Sequence, residues 1–239
     1  MAIKPLRRRF NRWADVWRAE WRADLGQANN RLRAAFDMNV FDHGFIRALN
    51  HNLAEVGPGV WRSNQPSPRR LRKLADDGFR TVLNLRGPSE WGSYELEKIA
   101  CADYGLELID IRLFSRAPPH KEAIFELAEV FATAERKIIL HCKSGADRAG
   151  IGAALYVLIG MGGDVEQARR QLAKRFGHFK AAKTGVLDHF LDVYDAFNQA
   201  QPTPFLDWVR DHYDRDAVEA SFRENRSAGF VVDQILRRE

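Results

Sequence analysis

Lys137-Ile138-Ile139-Leu140-His141-Cys142-Lys143-Ser144-Gly145-Ala146-Asp147-Arg148 is the stretch on which the reading of this chain turns. The β-branched run up to Leu140 reads as a buried strand, and the Ala/Gly-rich apolar run from Ala149 to Leu158 reads as a helix. Between them lies a short loop containing Gly145, with a cysteine and an arginine separated by five residues. A strand, a tight loop and a helix start form an anion cradle, because successive backbone N–H groups and the positive end of the helix dipole face one point.

The residue types suit phosphate chemistry. A helix start and nearby cations favour the thiolate form of a cysteine, which is the nucleophile, over the thiol. Arg148 adds a planar fork able to grip two phosphate oxygens at once. A thiolate held against a gripped phosphate is set for in-line attack, giving a phosphocysteine that water hydrolyses. The expected phosphate-binding positions are Lys143, Ser144, Gly145, Ala146 and Ala149 around Cys142 and Arg148, with His141 orienting the loop. Lys143 reads either as added positive potential at the entrance or as a solvated lysine.

This loop resembles the His-Cys-(five residues)-Arg motif of the cysteine-dependent protein-tyrosine and dual-specificity phosphatase superfamily. Trp61-Arg62-Ser63-Asn64-Gln65-Pro66 and Thr81-Val82-Leu83-Asn84-Leu85-Arg86 are similar to the start of its bacterial and plant atypical dual-specificity branch. The similarity spans roughly residues 55 to 198. It implies a cysteine-dependent phosphoric monoester hydrolase of the protein-tyrosine phosphatase type that needs no cofactor and no metal. Phosphotyrosine protein is the family's default substrate, with phospholipid or inositol phosphate as the alternative.

Two departures from the family pattern stand out. The residue after the arginine, commonly Ser or Thr, is Ala149, so the second chemical step is expected to be slow. The mobile loop that usually carries an aspartic acid corresponds to Leu113-Phe114-Ser115-Arg116-Ala117-Pro118-Pro119, which has no carboxylate. Asp110 precedes it in apparent strand. Asp147, inside the phosphate loop, is the better candidate for the general acid, against a structural role hydrogen-bonding the loop. Acid help typically contributes ~10²–10⁴-fold, so without it the chain would be a phosphate-binding module with weak catalysis.

The rest of the chain sets the frame. A length of 239 residues suits one domain of about 150 residues plus extensions. No apolar run approaches the roughly 20 residues of a membrane span, and the basic N-terminus lacks the apolar core of a secretory signal. The two cysteines, Cys101 and Cys142, point to a reducing, cytoplasmic setting. Cys101 reads as a small buried hydrophobe or as a resolving thiol for Cys142.

Charge is concentrated at the start. The first 33 residues carry nine Lys and Arg against three Asp and Glu. Trp13, Trp17, Trp21 and Leu25 recur at four-residue steps, with Val16, Ala28 and Leu32 nearby, predicting a Trp/Arg-rich helical arm over 1–45. Its stripe suits packing on its own domain or a second subunit. Peripheral contact of residues 1–35 with an anionic membrane is the alternative, and no nucleic-acid motif accompanies it.

Residues 46–199 alternate strand and helix patterns, predicting an α/β fold: a central, mostly parallel twisted sheet flanked by helices, with N- and C-terminal helical extensions. Ser67-Pro68 caps a helix, and Leu106 to Leu113, Val165 to Arg175 and Val186 to Phe197 read as strand, helix and helix. Pro202 and Pro204 mark the boundary of a C-terminal extension over 200–239, expected as two or three short helices. Arg86, at a strand end on the side of the loop, is a candidate substrate contact. His178, Lys180 and Lys183 read as a solvated basic loop or a second phosphate contact.

Overall fold

The computed structural model describes residues 3–47 and 51–236. Five strands, Ala54–Gly57 (β1), Val60–Asn64 (β2), Thr81–Asn84 (β3), Glu107–Asp110 (β4) and Ile138–Cys142 (β5), form one sheet in the order β1-β2-β5-β3-β4. The last four run parallel, and β1 joins the edge antiparallel to β2. The sheet is the mostly parallel one expected, with one strand the sequence did not announce. β1 is four residues long and half-exposed, so it carries no apolar signal.

All five residues of β5 are buried, as a strand covered on both faces requires. Alternation sends Ile138, Leu140 and Cys142 into one core and Ile139 into the other. The first core is completed by helices Lys121–Thr133 (α6), Asp147–Gly160 (α7), Val186–Ala200 (α9) and Phe205–Asp211 (α10). The second lies under Pro68–Asp76 (α4) and Gly92–Asp103 (α5). Ser67 caps α4 by accepting from the Arg70 N–H, and Pro68 opens the helix.

Cys101 sits in the second core, across the sheet from Cys142. Burial, reinforced by Glu97 and Asp110, pushes its thiol up to about 12. Its surroundings are those of a small buried hydrophobe, not of a resolving thiol.

The N-terminal segment folds back on the body. Helix Ile3–Arg22 (α1) turns at residues 23–27, where Asp24 accepts from the Gly26 N–H and the Gln27 amide, into Ala28–Phe36 (α2). Leu25, Ala28 and Leu32 therefore do not continue the Trp face of α1, which corrects the single-stripe expectation. A π-helical turn, Asp37–Phe41, and helix Gly44–Arg47 (α3) follow. Trp21 is fully buried. Arg18 pairs with buried Asp37 at 2.8 Å and stacks 4.1 Å over Trp91, and Arg22 reaches Glu95 at 3.1 Å. Burial raises the Asp37 pKa despite the Gly92 N–H and Arg18. The arm is thus packed on α5 of its own chain, while Trp13 and Val16 remain more than half exposed.

Toward the C-terminus, helix Val165–Arg169 (α8) opens with a capping box between Asp164 and Gln167. It is shorter than the expected 165–175, because the chain leaves it for a 3₁₀ turn, Lys174–Phe176. The final element, Arg215–Leu236 (α11), is one helix of 22 residues where short helices were expected. Among the described residues no helix is long and apolar enough to cross a membrane.

Candidate active site

Cys142 ends the central strand and is only 2% exposed. The loop from Lys143 to Ala146 then leads into α7, whose first turn has no side-chain cap. Uncapped N–H groups at a helix start are the donors an anion uses.

The loop is held through its carbonyls. The Ser144 carbonyl accepts from Asn52 Nδ2 at 2.9 Å, and the Lys143 carbonyl from the Gln65 N–H at 3.5 Å. Gly145 and Ala146 carbonyls accept from Arg62 Nη2 at 2.7 and 3.1 Å. Each of these carbonyls is satisfied, which fixes the course of the loop, and the Ala146 N–H donates to Ser144 Oγ at 3.4 Å. Gly145 allows the turn with φ of 77°, and a Cβ there would meet the Asn64 N and Ser63 C backbone atoms at 2.7 and 2.8 Å.

Arg62 is the central support. It is fully buried, its other terminal nitrogen reaches the Gln171 carbonyl and side chain, and its guanidinium lies 3.8 Å over the Phe176 ring. Burial lowers its pKa to about 10, with the attraction of Cys142 acting the other way. It therefore stays cationic at neutral pH, close to Cys142. Arg148, by contrast, is half-buried and makes no ion pair with any described residue.

His141 points away from the loop into the second layer. Its Nε2 lies 2.8 Å from Glu97 Oε1, both fully buried, though not aligned as a hydrogen bond. Glu97 Oε2 accepts from Gln65 Nε2 at 2.8 Å, so the His-Glu-Gln row braces the strand ends below Cys142.

Asp147 is part-buried at the start of α7 and meets His178 Nδ1 at 2.8 Å; His178 Nε2 meets Asp188 at 2.7 Å. The burial of His178 opposes its charge, but hydrogen bonds and attraction from both carboxylates outweigh this and raise its pKa to about 9. For His178 this corrects the reading as part of a solvated or phosphate-binding basic loop, while Lys180 and Lys183 are exposed as the solvated reading expects. His178 is 1% exposed and bound to carboxylates, while Lys180 is exposed and pairs with Asp192.

Asp42 is a hub that the sequence did not reveal. This buried carboxylate binds Arg86 at 2.8 and 3.1 Å, Arg47 at 2.9 Å, Lys143 at 2.9 Å and the Ser93 hydroxyl at 2.6 Å. Burial alone would raise its pKa, but Arg86, Ser93 and Arg47 hold it well below the usual carboxylate range. The expectation for Arg86 is corrected accordingly: its guanidinium is spent on Asp42, Gln65 and Ser93, so it is framework and not a substrate contact. Lys143 is tied to the same anion while remaining partly exposed. Asp110 is likewise occupied, by Asn84 Nδ2 and the Tyr94 hydroxyl, which leaves Asp147 as the carboxylate within the loop.

A family model described as PTP-NADK, a DSP-PTPase phosphatase fused to NAD+ kinase, matches residues 49–186, more than half of the chain. The chain belongs to this family. It is a member of the cysteine-dependent dual-specificity phosphatase superfamily. Among solved structures it is similar to TpbA of P. aeruginosa, with 17% identity over 64% of this chain and 92% of that one, TM-score 0.48. It is also similar to the core catalytic domain of the PP-IP phosphatase SIW14 of S. cerevisiae, with 18% identity over 64% of this chain and 96% of that one, TM-score 0.48.

Proposed function

We propose that this protein hydrolyses phosphomonoesters through a phosphocysteine on Cys142. The observation that carries the reading is the pinning of the loop carbonyls by Arg62 and Asn52 after Cys142, with Arg148, in the first turn of α7, making no ion pair with any described residue. The Cys142 sulfur attacks phosphorus as the P–O bond to the alcohol breaks. Arg148 and the loop N–H groups take up the charge on the phosphoryl oxygens. Asp147 delivers a proton to the departing oxygen, and the His178 imidazolium at 2.8 Å is the store from which that proton comes. Water then attacks phosphorus while Asp147 takes up its proton and returns it to His178, the P–S bond breaks with its electron pair going to sulfur, and phosphate leaves with the thiolate restored.

Phosphotyrosine or dual-specificity protein hydrolysis is the first substrate reading, supported by membership of the family. The second, an inositol phosphate or phospholipid, is favoured by a basic cavity beside the loop. The arm adds a peripheral membrane reading. Trp13, Val16 and Phe36 are each more than half exposed, beside the exposed Arg9 and Arg12, a composition suited to anionic headgroups. The two unbridged cysteines support a cytoplasmic setting.

The test is turnover of p-nitrophenyl phosphate in the presence of a metal chelator. Cys142→Ser and Arg148→Ala should each abolish it; full activity of Cys142→Ser would overturn the mechanism. Asp147→Asn should cost about 10²-fold with an alkyl phosphate and far less with p-nitrophenyl phosphate, whose leaving group needs no proton. An equal loss on both esters would assign Asp147 a structural role. Sedimentation with anionic vesicles, which Trp13→Ala should weaken, tests the membrane reading.

A further inference from the structure

Beside the phosphate loop lies a cavity of about 380 Å³ between the N-terminal segment and α4. Its charged wall is Arg47, Arg69, Arg70 and Lys73, with His51, whose pKa is lowered by burial and by Arg70, beside them, and no carboxylate is among the described residues lining it. Two of these residues already have a carboxylate partner, Arg47 in Asp42, which it shares with Arg86 and Lys143, and Lys73 in Asp77.

Arg70 and Arg69 differ from these. Arg70 is half-buried, so burial opposes its charge, and its side chain donates at 2.9 Å to Asn64 Oδ1, a neutral acceptor. Arg69 is exposed at the same cavity and pairs with no carboxylate among the described residues. A guanidinium carries five donors, and a partly desolvated one facing an open cavity is a site for an oxyanion. A merely solvated basic helix face would leave Arg70 in water, as it does the exposed Arg72.

The cavity also stands in a defined relation to the nucleophile. Asn64, on its wall, is the register partner of Cys142 on the neighbouring strand. Adjacent strands lie about 4.8 Å apart. Arg47 and Asn64 also line a second cavity of about 300 Å³ that reaches Ser144, Ala146 and Asp147 of the loop, so the two spaces share a wall. A volume of 380 Å³ equals about a dozen water molecules, enough for a phosphate and part of its carrier.

We propose that this cavity binds a second phosphate group of the substrate, so that the preferred substrates are small molecules carrying two or more phosphates. The inference rests on the phosphatase reading of Cys142 and assigns its substrate class. Arg70 and Arg69 grip the second phosphate while the loop holds the first. The same chemistry occurs in a soluble inositol polyphosphate and in a phosphorylated inositol lipid headgroup.

The experiment compares p-nitrophenyl phosphate, an inositol monophosphate, an inositol polyphosphate, and a phosphatidylinositol bisphosphate in vesicles. Wild type is set against Arg69→Glu and the double variant Arg69→Gln/Arg70→Gln. Each kcat/KM is normalised to the same variant's rate on p-nitrophenyl phosphate. Wild type should prefer a multiply phosphorylated substrate over the monophosphate by about tenfold or more, mainly through KM, and both variants should lose that preference. The arm in which the preference appears, soluble or vesicle, identifies the source. No preference in wild type, or a preference the variants keep, overturns the proposal. Calorimetric binding of the inositol polyphosphate to wild type and Arg69→Glu decides the matter separately from turnover. Equal affinities refute the second-phosphate site even if Cys142 is catalytic; weaker binding by the variant supports it even if turnover fails.

Discussion

Arg62 Nη2 lies 2.7 Å from the carbonyl oxygen of Gly145 and 3.1 Å from that of Ala146, joining β2 to the phosphate loop across 83 residues of sequence. The loop's shape is therefore set by a guanidinium outside it. Lysine offers a point charge in place of a planar fork and cannot serve both loop carbonyls and Gln171 together. Arg62→Lys should keep the fold but let the loop carbonyls turn, lowering kcat by about 10²-fold, the scale of a 1 Å misplacement. Circular dichroism together with steady-state kinetics checks this, and near wild-type kcat in a folded Arg62→Lys protein would remove Arg62 from the account.

His178, clamped between Asp147 and Asp188, makes stability depend on pH. Its pKa stands at about 9, against an ordinary value near 6.5. A raised folded-state value means the contribution is fully present below about pH 6.5 and is lost as pH rises through about 9. The loss should be on the order of 3 kcal/mol at most. Urea denaturation at pH 6 and pH 9.5 measures it. His178→Gln should be less stable at pH 6 and should lack most of that slope; an unchanged slope would place the titration elsewhere.

What could be read from the chain and what could not divide along sequence distance. β5, the loop and α7 are contiguous, and each announces itself by local pattern: a buried β-branched run, a glycine, and an apolar helix. Ser67-Pro68 likewise marks the start of α4 by its own chemistry. The supports of the loop are distant residues whose types are ordinary. Arg62 reads as a strand arginine, Asn52 as a polar loop residue, and Asp42 as a carboxylate near a glycine. Only the assembled sheet brings them to the carbonyls and cations they satisfy. Arg86 was misassigned for the same reason, since its strand-end position is local and its partner Asp42 is 44 residues away. The Trp stripe shows the reverse case. Its apolar face was legible, but the rings that meet Trp17, Phe36 of α2 and Phe41 of the π-helical turn, were not.

Asp42 is the shared anion of Arg86, Arg47 and Lys143 at a site 1% exposed. Asp42→Asn would leave Arg86 and Arg47 largely buried without their anion. Removing one partner of a buried pair costs about 3–5 kcal/mol, so the variant should be strongly destabilised. In the wild protein the depressed pKa means this contribution is present above about pH 4 and is lost as pH falls below it. Thermal unfolding of Asp42→Asn at neutral pH, compared with Asp77→Asn as an exposed control, tests the assignment. Similar melting temperatures for the two variants would contradict it.

Ala149 is fully buried at the first turn of α7, against the core that contains Cys142. It has no hydroxyl to stabilise the thiolate as the P–S bond breaks, so hydrolysis of the phosphocysteine should limit turnover. Rapid mixing with p-nitrophenyl phosphate should show a burst approaching one nitrophenolate per enzyme, followed by a slow steady state. Ala149→Ser adds one donor near the departing sulfur. Single donors at developing charge contribute about 10²-fold or more, and an imperfectly placed one should still raise the steady-state rate by about tenfold. The burst rate should change little, because the hydroxyl acts on the second step. A wild-type trace without a burst would show that attack by Cys142 limits turnover and that Ala149 is a packing residue only.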